Sequence, residues 1–135
     1  MDYNNATAQE CADWLAVNDG WAWRPWAGEE IHRLWTHPNG DEELEYRGTE
    51  RLDNEHGPYK LTLDGAAAAL PSNWRVDYIR DRGEYAGLGN ARWYVRAFRV
   101  PGDITNCVSC DGTDELTARY RAAVASRMEG GKREG

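Results

Sequence analysis

The chain has 135 residues with a net charge of −7, seven Trp, seven Tyr, a single Phe, three Cys and three His. That length is enough for one hydrophobic core that buries roughly two thirds of the unfolded surface, so neither disulfides nor a second domain are needed. No run approaches the ~18–20 apolar residues of a membrane span, and Met1-Asp2-Tyr3-Asn4-Asn5 lacks the pattern of a secretory leader, which sets the expectation of a host cell cytoplasm and no membrane partner.

The charge is uneven. Residues 1–64 hold 14 acids against 5 basic residues, and residues 65–135 hold 9 against 11. Nucleic-acid affinity comes largely from Lys and Arg on phosphates, so this balance argues against direct nucleic-acid binding and fits a partner with a basic surface.

Along the chain, Thr7-Ala8-Gln9-Glu10 reads as a capping box, followed by Cys11, Trp14 and Leu15 at helical spacing and by the stop Asn18-Asp19-Gly20. Trp21 to Trp26 reads as extended or looping chain around Pro25. Residues 29–36 read as a strand that turns at Pro38-Asn39-Gly40 into a partner carrying Leu44 and Tyr46. Residues 47–58 form an acidic loop. Thr62 or Asp64 starts a short Ala-rich helix that Pro71 ends, and its small side chains predict close packing against a sheet.

Residues 74–79 and 93–98 alternate as the first two strands of a meander joined by a Gly-rich turn, and Ile104 to Cys110 form the third. Thr113 caps a final helix that Gly130-Gly131 ends, leaving residues 131–135 as a flexible tail. The expected class is α+β: residues 1–130 as one domain, with a single antiparallel meander sheet flanked by N- and C-terminal helices.

These residues resemble a known family. Gly20-Trp21, Trp35 before Pro38-Asn39-Gly40, Pro58-Tyr59 leading into Thr62-Leu63-Asp64-Gly65-Ala66-Ala67 and Leu70-Pro71-x-x-Trp74, and an Ala-rich helix started at Thr113 are similar to the phage ABA-sandwich domain of small bacteriophage proteins. The resemblance spans residues 11–126 and implies an α/β/α sandwich-like fold and a phage or prophage origin. It implies no reaction. Gly65 departs from the family, which has a better helix former at that position.

Motifs for chemistry are sparse. Cys107-Val108-Ser109-Cys110 is a lone C-x-x-C without a second ligand pair for zinc or a following helix start for redox work, and its bland reading is two thiols on one edge strand, pointing to opposite faces or reaching a bend. His32, His37 and His56 stand in the acidic half with no nucleophile pattern beside them, and neither a phosphate loop nor a dinucleotide loop is present. No cofactor, metal site or catalytic residue is assigned.

The residues expected to bind a partner are Trp21, Trp23, Trp26 and Trp35 together with Asp41, Glu42, Glu43 and Glu45, because five Trp between positions 14 and 35 exceed what one small core satisfies. The leading expectation is a non-enzymatic phage accessory protein that inhibits a host protein such as a defence component, in the manner of acidic anti-CRISPR proteins, with a homodimer left open. A second reading is a small-ligand or nucleotide-sequestering binder in which Arg75, Arg92, Arg96 and Arg99 meet phosphate. A third is a small metal-dependent enzyme.

Overall fold

The computed structural model describes residues 1–26, 29–46, 57–81, 93–100 and 107–133. Its elements run α1 (Ala8–Asn18), β1 (Ala22–Trp26), β2 (Glu29–Thr36), β3 (Glu42–Tyr46), α2 (Leu63–Ala69), β4 (Trp74–Asp81), β5 (Trp93–Arg99), β6 (Cys107–Gly112) and α3 (Glu115–Arg133). The α+β class with helices at both ends is as expected. The described strands, however, form two antiparallel sheets, β1-β2-β3 and β4-β5-β6, where the sequence reading had one.

Each helix start has a local cause. Thr7 Oγ1 accepts from the Glu10 amide at 3.1 Å while the Glu10 carboxylate accepts from the Thr7 amide at 3.2 Å, so the capping box is complete. At α2 the cap is Thr62, whose hydroxyl accepts from the Gly65 amide at 3.0 Å. For α3 the cap is Asp114 rather than Thr113: its carboxylate accepts from the Thr117 amide at 2.7 Å. The same helix passes through Gly130-Gly131 and ends at Arg133, so the two glycines do not stop it.

α3 is the centre of the molecule. Tyr120, Ala123 and Val124 pack against Cys11 and Leu15 of α1 and Ala66 and Ala69 of α2. On another side, Ala118, Ala122 and Ala125 pack against Trp74, Val95, Ala97, Val108 and Cys110 of β4-β5-β6. The spacing of 118, 122 and 125 places three alanines on one helical stripe, which brings the helix close to the sheet. Small residues thus do serve a helix–sheet contact, but on α3; the alanines of α2 pack on α3 instead. The other face of the meander carries Arg96, Cys107 and Ser109, all exposed.

Gly65 has a steric reason. A Cβ there would lie 2.1 Å from the Lys60 carbonyl oxygen and 3.1 Å from the Tyr120 hydroxyl, which itself donates to that carbonyl. The absence of a side chain at this position is therefore a packing requirement.

A polar lock joins three segments to α3. The Arg127 guanidinium pairs with the Asp19 carboxylate at the end of α1. It also donates to the Tyr59 hydroxyl at 2.8 Å and to the Ala69 carbonyl at 3.0 Å. Tyr59 in turn donates to the same Asp19 carboxylate. Burial and that hydrogen bond push the Tyr59 hydroxyl up to about 12. Arg121 makes a similar strap, donating to the carbonyls of Ala6 and Asp111, both at 2.8 Å. Among the described residues, no helix is long and apolar enough to cross a membrane.

Candidate interaction surface

The β1-β2-β3 sheet carries every residue expected to bind a partner except Trp21 and Asp41, which adjoin it. Strand register decides what each one does, because residues directly opposite in an antiparallel pair share a face. Trp23, Trp35 and Glu43 form one row across the sheet, and Pro25, Arg33 and Glu45 form a second row on the same face.

Trp35 and Glu45 are not part of an exterior. Trp35 is 0 % exposed and Glu45 2 %, and the indole Nε1 donates to Glu45 Oε1 at 3.2 Å. Gly57 closes over the carboxylate: it holds φ +96°, and a Cβ there would lie 2.8 Å from Glu45 Oε2. The indole N–H requires a partner when buried, and the carboxylate of the neighbouring row supplies one. This pair is a correction to the expected surface, since both members are buried and bonded to each other inside the fold.

Trp23 and Trp26 remain outside, 42 % and 44 % exposed, on a strand whose five residues are all exposed. Trp23 is nevertheless held. The Arg33 guanidinium carbon sits 3.7 Å from the centroid of its ring, and the same guanidinium lies 3.6 Å from the Asp13 carboxylate of α1. Arg33 is diagonal to Trp23 in the ladder, the offset from which a long side chain reaches an aromatic ring.

Trp21 is half-buried and meets the His37 ring edge-on, with centroids 5.1 Å apart. His37 is a structural residue: Nε2 lies 3.0 Å from the Asp19 carbonyl and Nδ1 accepts from the Asn39 amide at 3.2 Å. A carbonyl at one nitrogen and an amide at the other select the Nε2–H tautomer. The turn after it is closed by Asn39, whose side chain bonds the Asp41 amide at 2.9 Å and its carboxylate at 3.1 Å.

Asp41 and Glu42 are exposed beside this turn, and Glu43 is half-buried. The row Ala22, Thr36, Glu42 adjoins the row Trp23, Trp35, Glu43 at the end of the sheet next to Asp41; Trp23 and Glu43 share one face there, and Glu42 belongs to the other. Trp26 stands at the other end, opposite Glu29.

The alternative arginine set does not converge on one point. Arg96 is committed to Asp77 through Nε at 3.0 Å and Nη2 at 2.8 Å. Arg99 lies opposite Trp74 at the far end of the ladder, and Arg92 falls outside the described residues. Arg75 bonds the Ser72 and Trp74 carbonyls at 2.9 and 3.1 Å and lines a cavity beside α2. Among the described residues, Arg75, Arg96 and Arg99 do not share one anion.

The C-x-x-C thiols point apart as strand period requires: Cys107 is exposed and Cys110 buried. Burial pushes Cys110 up to about 12, reinforced by the nearby Cys11, which burial also pushes up to about 12. Such thiols are held neutral and unreactive. Among the described residues, no group of three or more His, Cys, Asp or Glu is placed to hold a metal ion.

Two arrangements were missed by sequence reasoning. One is the Trp35–Glu45 pair, for which the alternation of Trp35, Glu43 and Glu45 along a hairpin was the available signal. The other is the Arg33 clamp on Trp23, which depends on the strand register. Comparison with protein-family models, with curated proteins and with solved structures finds no match for this chain.

Proposed function

We propose that this protein acts by binding a second protein that presents a basic surface, using the end of the β1-β2-β3 sheet that carries Trp23 on its first strand and Glu42 and Glu43 on its third, next to Asp41. The observation that carries this reading is Trp23 itself. An indole left 42 % exposed would ordinarily lose rotamer freedom on binding, but Arg33 and Asp13 already hold it in one place. A preorganised, partly exposed aromatic ring is the kind of residue from which binding hot spots are made. The three acids steer a cationic partner toward it.

The resemblance to phage ABA-sandwich proteins extends the proposal. The partner would then be a protein of the bacterial host, and inhibition of a defence component is the activity that a small acidic binder is suited to. Affinity capture from bacterial lysate with wild-type protein and with the Asp41→Lys, Glu42→Lys double variant tests this. The expected result is one or a few basic proteins retained by wild type and lost from the variant. Retention of the same proteins by both would remove the proposal.

A further inference from the structure

A second feature stands on other elements of the fold. Between α2 and the start of β4 lies a cavity of about 530 Å³ with an apolar wall that includes Ala67, Leu70, Pro71 and Trp74. That volume is within the range of small-molecule sites. Among the described residues, two guanidinium groups, Arg75 and Arg119, are the charged members of its lining, and no carboxylate lines it.

Both arginines are positioned by the protein yet keep donors to spare. Arg75 uses one nitrogen, Nη1, on the Ser72 and Trp74 carbonyls, which fixes the head at the end of β4. Arg119 contacts Glu115 one helical turn earlier, through Nη2 at 3.5 Å. Its Nε is buried and makes no hydrogen bond among the described residues. A buried N–H without an acceptor is costly, and a ligand anion would supply the acceptor. Planar guanidinium forks match carboxylate and phosphate oxygens in particular.

We infer that this cavity is a binding site for a small amphipathic anion, with the acidic head on Arg75 and Arg119 and the apolar body along α2 and Trp74. The arginines come from two elements far apart in sequence, β4 and α3, and α2 supplies the wall between them. An alkyl chain gains from contact with the alanines, leucine and proline, while a cation of the same shape meets two like charges.

The test uses the full chain and the fluorescent anion 8-anilinonaphthalene-1-sulfonate as probe, with octanoate, octyl phosphate and octylamine as competitors. Saturable binding at one site is expected, displaced by octanoate or octyl phosphate and not by octylamine. Arg119→Gln and Arg75→Gln should each weaken the probe about tenfold. Ala67→Trp, which fills the cavity mouth from an exposed helix position, should abolish binding while thermal melting stays that of the wild type. Probe binding equal in wild type and Ala67→Trp, or displacement by octylamine as effective as by octanoate, would overturn the inference. So would a failure to saturate. None of these results bears on Trp23, so the two proposals stand or fall separately.

Discussion

Replacing Gly65 by Ala should destabilise the protein, against the usual sign of that change in a helix. In an unconstrained helix interior the substitution stabilises by about 1 kcal/mol, because glycine is the poorer helix former. Here the added carbon would stand 2.1 Å from the Lys60 carbonyl oxygen, well inside van der Waals contact, and the obstacle is backbone rather than the flexible end of a side chain. Relief requires the 60–62 segment to move away from α2. That movement separates the Lys60 carbonyl from the Tyr120 hydroxyl that donates to it. Overpacking of this kind costs about 1–3 kcal/mol, and a lost buried hydrogen bond about 1 kcal/mol more. Set against the propensity gain, the net expectation is a loss of about 1–3 kcal/mol, or roughly 3–10 °C in melting temperature for a domain of this size. Thermal denaturation followed by far-ultraviolet circular dichroism measures it, with Ala67→Gly on the exposed side of the same helix as a control losing only about 1 kcal/mol. A Gly65→Ala variant that melts at or above the wild-type temperature would refute the steric argument.

Other expectations follow from burial and from the polar lock. In the native protein one thiol, Cys107, should react readily with a disulfide reagent, and all three should react after denaturation; rapid native labelling of Cys11 or Cys110 would contradict their burial. Stability should decline with alkali. Cys11 and Cys110 are raised from 9.0, and Tyr59 from 10.0, to about 12 in the fold, so their contribution is complete below pH 9 and is lost as pH rises through about 12. A melting temperature unchanged between pH 8 and 11.5 would count against this. Arg127→Met keeps the aliphatic stem but removes the bonds to Asp19, Tyr59 and Ala69, and urea titration should show a loss of about 2 kcal/mol, tempered by the partial exposure of Asp19.

What the sequence made readable was what neighbouring residues decide. The Thr7–Glu10 capping box, the Asn39–Gly40 turn and the Thr62 start of α2 each involve groups within a few positions of one another. The opposite facing of Cys107 and Cys110 follows from strand period alone. Harder to read was anything set by register or by the third dimension. Trp35 and Glu45 both belonged to an expected exterior, and only the pairing of β2 with β3 brings the indole N–H to the carboxylate. Arg127 reaches Asp19 and Ala69 across 108 and 58 positions. Gly130-Gly131 carries the usual stop signal, yet α3 continues to Arg133, because a glycine pair weakens a helix without forbidding it. Division of the strands into two sheets likewise has no local signature, since a hairpin and a meander look the same whether or not they join.

The most direct measurement is the dissociation constant of the captured partner for wild type and for Trp23→Ala, with melting temperatures measured alongside. A weakening of about 30-fold or more with unchanged melting is predicted, the size of effect expected when an aromatic hot-spot residue is truncated. Equal affinity for the two proteins would contradict the claim that the clamped indole is what this fold presents to its partner.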